Sequence, residues 1–336
     1  MDEDLAAGAR KVLAAAGHDP GEIELSRIPG GASRQVYLVS DGMQRWVLRR
    51  DPPGAGSFNP LELEYRLLGT AVSAGVPAPA PIAFETDGGA FGSAGFLMCH
   101  VAGDSVAPRL LRKDKYGRAR AALGPQLGET LAHIHAIDPA SVDGLPGLDG
   151  DDPALAACAL WEAELDRTGE PLPGVEAALR WLRLNAPAPP ARPALVHGDF
   201  RLGNFICDAD GLAAVIDWEL AHAGDAAEDI GWLVIRSWRF GNDAFPVAGV
   251  AELGPFLDAY EKGGGARPEA HRLHWWQVLG NVKWAVICAR QAADHLSGER
   301  PSHELASLGR RICEPEWDAL TLLGAGTGAG PGSGSA

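Results

Sequence analysis

The sequence has 336 residues, 46% hydrophobic and 22% charged, with a formal net charge of −15. That length exceeds the about 250 to 300 residues at which a single hydrophobic core stops growing, so two lobes, each with its own core, are expected. The charge works against nucleic acid, whose phosphates need Lys and Arg clusters that the chain is expected to lack; no apolar stretch reaches the ~18 residues of a membrane helix; and five cysteines without CxxC spacing argue against a zinc site or a disulfide framework.

In chain order, the start Met1-Asp2-Glu3-Asp4 is acidic, opposite to a secretory leader, and makes the cytoplasm the expected compartment. An Ala- and Leu-rich helix is predicted over 3–16, then three strands within 22–50 joined by turns at Pro29-Gly30-Gly31-Ala32-Ser33 and Asp41-Gly42. The glycines of the first turn would let backbone N–H groups approach a phosphate, although such a turn is also an ordinary hairpin. A helix is expected from Leu61 to Thr70, and after Val76-Pro77-Ala78-Pro79 an apolar run spans Gly95–Gly103. From about 104 the chain reads as helical. Residues 117–137 form an amphipathic helix, 151–185 one helix or two carrying Glu162, Glu164 and Asp166, and 226–240 and 268–296 Trp-rich helices. His271 and His274 lack a third ligand nearby and read as solvated helix residues. The Gly/Ser/Ala-rich tail, 324–336, is expected to be disordered.

The informative stretch is Leu195 to Asn204 with Ala214 to Glu219. Asp199 and Asn204 sit five apart on a Gly-containing loop, and Asp217 ends an apolar run that reads as a strand. Phosphoryl transfer needs an acceptor hydroxyl held in line and cations that neutralise the transferring group. Mg2+ prefers hard oxygen ligands and keeps several waters, so the Asp217 carboxylate and the Asn204 amide, with nucleotide phosphates, suffice to hold it. A second carboxylate, Asp199, suits the catalytic base. Each residue alone also fits a turn; the combination points to a metal-assisted phosphotransferase using ATP.

These residues resemble the aminoglycoside phosphotransferase and choline kinase family, distantly related to protein kinases. The resemblance rests on His197-Gly198-Asp199 with Asn204, on Ile216-Asp217, and on the later Gly224-Asp225 and Asp229-Ile230. It implies an α+β, protein-kinase-like two-lobe fold, with a small N-terminal lobe built on an antiparallel sheet (1–101, ending in the hinge), a larger, mostly helical catalytic and substrate lobe (102–323), and the tail. It further implies that Gly31 and Ser33 cover the nucleotide, that Arg49 replaces the usual phosphate-binding lysine and pairs with Glu64, and that adenine meets the backbone of Cys99 and Val101 with Met98 behind the base. Asp229 would anchor the catalytic loop. An Arg–Glu pair joining strand and helix is also a common surface feature, worth only ~0 to 1 kcal/mol.

Arg201, two residues after the base, is expected either to stabilise the crossing phosphoryl group or to cap loop carbonyls. His197 reads as a structural loop residue, His100 as exposed, and Glu219 as touching metal-bound water or closing a turn. The wording around Phe200-Arg201-Leu202-Gly203-Asn204 and Asp217-Trp218-Glu219-Leu220 resembles the branch associated with acyl-CoA dehydrogenases. That implies a small-molecule hydroxyl acceptor such as a hydroxyacyl-CoA or hydroxy acid; the alternatives are an aminoglycoside and, given Arg49, a nucleotide-binding pseudokinase.

Overall fold

The computed structural model describes residues 2–28, 34–52, 60–86, 89–147 and 152–324. Gly31, Ser33 and the tail beyond Gly324 therefore lie outside the described residues. Among the described residues the elements run α1 (Asp2–Ala15), β1 (Glu24–Arg27), β2 (Gln35–Ser40), β3 (Arg45–Arg50), α2 (Leu61–Ser73), β4 (Pro81–Glu85), β5 (Gly95–Cys99), α3 (Ala107–Arg112), α4 (Gly117–Ala136), α5 (Pro153–Thr168), α6 (Pro173–Leu184), β6 (Ala194–Val196), β7 (Phe205–Cys207), β8 (Leu212–Val215), β9 (His222–Gly224), α7 (Ala227–Leu233), α8 (Leu253–Lys262), α9 (Ala270–Leu296), α10 (His303–Gly309) and α11 (Cys313–Leu322).

The chain divides into two compact units that do not follow chain order. One comprises Met1–Pro146, Ala194–Ala223 and Gly254–Ala266; the other comprises Gly147–Pro193, Gly224–Leu253 and Arg267–Ala336.

In the first unit, five strands form an antiparallel sheet in the order β1-β2-β3-β5-β4. Side chains alternate across a strand, so Trp46 and Leu48 of β3 face one side with Tyr37 and Val39 of β2, where Leu5, Ala9, Val12 and Leu13 of α1 cover them. The same alternation turns Val47 and Arg49 to the opposite side. Cross-strand partners share a face, and the pairs Val47–Met98 and Arg49–Phe96 put Met98 there too. Helix α2 serves this second side: Tyr65 packs on Phe84 and Phe96, each at 5.8 Å, and the buried Glu64 reaches Arg49. The apolar run from Gly95 ends as a strand at Cys99, and His100 is half-buried rather than exposed.

In the second unit α9, 27 residues and about 40 Å long, is the axis against which α5, α6, α7, α10 and α11 pack. Helix α5 starts where sequence signals place it: Asp152 accepts the Ala154 and Leu155 N–H groups, Pro153 occupies the first turn, and Gly169 closes the helix at φ +67°. Trp161, Leu165, Val175, Leu179, Trp275, Trp276 and Val282 are among the core residues here. A second cluster joins Trp232, Trp238 and Trp284, the last two with ring centroids 4.7 Å apart. The helix expected over 226–240 is interrupted: α7 stops at Leu233, and Arg236–Arg239 is a 3-10 turn. Trp232 and Trp238 are six residues apart, a spacing an α-helix would splay, and the change of helix type returns both rings to Trp284. Gly231 lets α7 approach α9, since a Cβ there would lie 2.7 Å from Trp276.

Candidate active site

Strand β6 leads into the loop His197–Asn204, whose shape is set residue by residue. Gly198 has φ +79°, and a Cβ there would sit 2.3 Å from the Leu220 carbonyl oxygen, so only glycine fits. The fully buried His197 accepts the Asp199 N–H at Nδ1 (3.2 Å) and packs against Trp218 at 4.6 Å. An acceptor Nδ1 places the ring proton on Nε2 and makes His197 a structural part of the turn.

The Asn204 amide nitrogen donates to both the Asp199 carbonyl (3.0 Å) and carboxylate Oδ2 (2.6 Å). Two acceptors on one side fix the amide's orientation and direct its oxygen away from Asp199. The Asn204 carbonyl accepts the Ile216 N–H (2.9 Å), extending the β7–β8 ladder that pairs Phe205 with Val215. Asp217 follows directly. Asn204 and Asp217 therefore flank the open end of one hairpin, with Asp199 bonded to Asn204, and Asp217 turns away from the ladder at φ +71°, a left-handed conformation that aspartate tolerates better than most residues.

Around Asp217 runs a chain of charges. Arg49 Nη2 lies 2.6 Å from Asp217 Oδ1 and 3.7 Å from Glu219, while its Nη1 lies 3.1 Å from Glu64 Oε1. Glu64 spends its other oxygen on Arg34, which also lies 3.3 Å from Asp51. Burial pushes the Glu64 carboxyl up to about 7 against the pull of Arg49 and Arg34. Burial would lower the Arg49 pKa, but Glu64, Asp217 and Glu219 outweigh it and the net shift is upward, so Arg49 stays charged and Glu64 is the group that titrates. Burial also works against the Asp217 carboxylate, and Arg49 overcomes it, holding the pKa below the ordinary value. Arg201 Nε lies 2.8 Å from Asp199 Oδ1, so that arginine is tied to the expected base.

The donor set fits magnesium. It offers one ionised carboxylate, with 28% of the Asp217 side chain exposed, and one oriented amide oxygen. Among the described residues no group of three or more His, Cys, Asp or Glu side chains could hold a metal ion, so remaining ligands would come from phosphate and water.

The model of the phosphotransferase enzyme family matches residues 24–276 of this chain. The chain belongs to that family. Among curated relatives it is similar to acyl-CoA dehydrogenase family member 11 of Gallus gallus, 26% identical over 317 residues, covering 88% of this chain and 40% of the relative. It therefore spans well under half of that relative's length. Among solved structures it resembles a candidate aminoglycoside phosphotransferase from Ralstonia eutropha (TM-score 0.74, 20% identity, 95% and 97% of the two chains covered). It also resembles a thermostable mutant of the aminoglycoside phosphotransferase APH(4)-Ia, solved with AMP-PNP and hygromycin B (TM-score 0.64, 17% identity, 96% and 100% covered). These likenesses show a kinase-like fold with an N-terminal antiparallel sheet and a mostly helical C-terminal region.

Of the residues singled out from the sequence of this phosphotransferase, Asp199, Arg201 and Asn204 form one bonded cluster and Asp217, Arg49 and Glu64 another, and the two adjoin where the Asn204 backbone carbonyl accepts the Ile216 N–H. Met98 shares the Arg49 face, whereas Cys99 is exposed and Val101 half-buried where the chain leaves β5. Asp229 is fully buried in α7. Sequence reasoning missed Arg34, whose only signal is its place directly after the Gly-rich turn. No helix is long and apolar enough to cross a membrane among the described residues.

Proposed function

We propose that this phosphotransferase moves the γ-phosphoryl group of ATP to a hydroxyl of a small molecule, with a hydroxyacyl-CoA or hydroxy acid as acceptor. The observation that carries the reading is Asn204, whose side-chain amide donates to the Asp199 carboxylate and whose backbone carbonyl accepts the N–H of Ile216, next to Asp217. These bonds support reading Asp199 as a proton acceptor beside two oxygen ligands, Asn204 and Asp217. Magnesium and ATP supply charge neutralisation and the phosphoryl group. Asp199 orients the acceptor hydroxyl and takes its proton; Asn204 and Asp217 present the metal-binding oxygens; Arg49, backed by Glu64, grips phosphate with a fork that lysine lacks. Arg201 leaves Asp199 for the transferring group as its charge develops. Gly31 and Ser33, with the backbone of Cys99 and Val101 and the side chain of Met98, complete the nucleotide site in this reading.

The acceptor class is supported by the likeness to a protein named for acyl-CoA dehydrogenation. The likeness to a structure bound to hygromycin B favours a second reading, an aminoglycoside acceptor. Purified protein is incubated with magnesium, ATP and a 4-hydroxyacyl-CoA, then with kanamycin and hygromycin B. Phosphorylation of the thioester is expected, and phosphorylation of a drug alone overturns the preferred acceptor. Asp217→Ala is expected to abolish magnesium-dependent nucleotide binding while Asp199→Asn preserves it; equal binding by the two would refute the division of roles.

A further inference from the structure

The twelve residues Arg109–Arg120 carry six of the chain's 29 Lys and Arg, about six times the mean density in a chain of net charge −15. The expectation that Lys and Arg clusters are absent fails here. Three of the six cations have local partners: Arg109 lies 3.5 Å from Asp104, Arg118 pairs with Asp210, and Arg120 donates to the carbonyls of Leu110 (2.8 Å) and Lys113 (2.9 Å). Arg112 and Lys113 are exposed, and no carboxylate among the described residues pairs with either. The Lys115 ammonium lies 4.5 Å over the Tyr116 ring. Because Arg120 binds carbonyls of both α3 and the turn after it, these cations stand on a braced backbone.

The patch is tied to the hairpin that carries Asn204. Asp104, whose carboxylate holds Arg109, pairs through its own N–H and carbonyl with Cys207 (2.9 and 3.0 Å). Cys207 is three residues beyond Asn204 on β7, about 10 Å at a strand's rise, so the patch is anchored roughly that far along the strand from Asn204. We propose that Arg112, Lys113 and Lys115 bind the phosphate-bearing end of an extended acceptor whose hydroxyl reaches Asp199. This rests on the acceptor reading above, since a CoA thioester carries phosphates far from its acyl hydroxyl. A ligand whose phosphates cluster at one end suits the patch better than a long polyanion, because positive charge is confined to one short segment and the acidic chain repels further anionic groups that extend more than about a Debye length, ~10 Å, beyond it.

The test is calorimetric titration of coenzyme A into the full chain already saturated with AMP-PNP and magnesium, so that the nucleotide site is blocked. Wild-type protein is compared with Arg112→Glu/Lys113→Glu and with the milder Arg112→Ala/Lys113→Ala, each checked for an unchanged melting curve; dephospho-CoA and pantetheine serve as truncated probes. Coenzyme A is expected to bind, more tightly at low salt. Removal of its phosphates or reversal of the two charges should weaken binding about tenfold or more, with the alanine pair intermediate. Wild-type affinity in the charge-reversed protein, displacement by AMP-PNP, or tighter binding of single-stranded DNA or phosphatidylserine vesicles would each overturn the proposal. If charge reversal abolishes coenzyme A binding but no CoA thioester is phosphorylated, the patch stands and the acceptor reading fails. If both proteins phosphorylate the thioester with equal KM, the acceptor reading stands and the patch fails.

Discussion

The loop His197–Asn204 and the core of the bundle around α9 are both buried, yet by opposite means. In the loop, buried His197 and Asn204 are each hydrogen-bonded to Asp199 within a span of eight residues, and each bond needs a particular atom at a particular place. In the bundle, Trp161, Leu179, Trp275, Trp276 and Val282 come from distant segments and fill volume. Chemistry fixes residue identity in the first region, and shape constrains it in the second. A small change of atoms should therefore stop turnover in the loop without unfolding, whereas a change of volume in the bundle should unfold the protein without touching the reacting groups.

Asp199→Asn sharpens this contrast most: turnover is expected to fall roughly 10²- to 10⁴-fold, the contribution of a positioned base, with the urea midpoint nearly unchanged. A comparable fall in stability would break the comparison. Next is Trp276→Ala, which removes a buried ring and its Nε1–H bond to Asp225 (3.0 Å) and should cost about 3 to 5 kcal/mol in urea unfolding, leaving the KM for ATP of the folded fraction intact.

Glu64 offers a gentler probe. Its carboxyl titrates near 4.5 when unfolded and is pushed up to about 7 by burial in the folded protein. Between those values the native state retains a proton that the unfolded chain releases. The stability from this group is thus fully present below about pH 4.5 and lost as pH rises through about 7. Urea midpoints of Glu64→Gln should lack that downward slope, and parallel curves for the two proteins would remove Glu64 as its source. The smallest effect is chemical. Burial pushes the thiols of Cys158, Cys207 and Cys288 up to about 12, whereas Cys99 and Cys313 are exposed. A thiol reagent should label two cysteines in the folded protein and five in denaturant, and in Trp276→Ala the bundle cysteines Cys158 and Cys288 should react before Cys207.

The same contrast explains what could be read in advance. The nearness of Asn204 to Asp199, and the place of Asp217 after a strand, were legible because these residues are nearly contiguous, and α4 and α9 because apolar residues recur along them at helical spacing. Strand β4 was not, since Pro81-Ile82-Ala83-Phe84-Glu85 is short and opens on a proline; nor was α8, whose first turn holds Gly254 and Pro255. Arg34 carries no periodic mark at all and takes its meaning from three-dimensional neighbours, whereas the Arg112–Lys115 cations stand in a dense basic run that a whole-chain net charge conceals. The interruption after α7 came from rings meeting in space, which spacing along the chain shows only in hindsight.

The two hydrogen bonds from Asn204 to Asp199 close a ring of covalent and hydrogen bonds around the loop. Such a ring works as a ruler: the spacing of the Asp199 carboxylate from the Asn204 amide oxygen is preset, and in the proposed reading that is the span from proton removal to charge neutralisation. Descendants of this scaffold are then free to redraw the walls that choose the alcohol, because the measuring element inside need not be recalibrated each time.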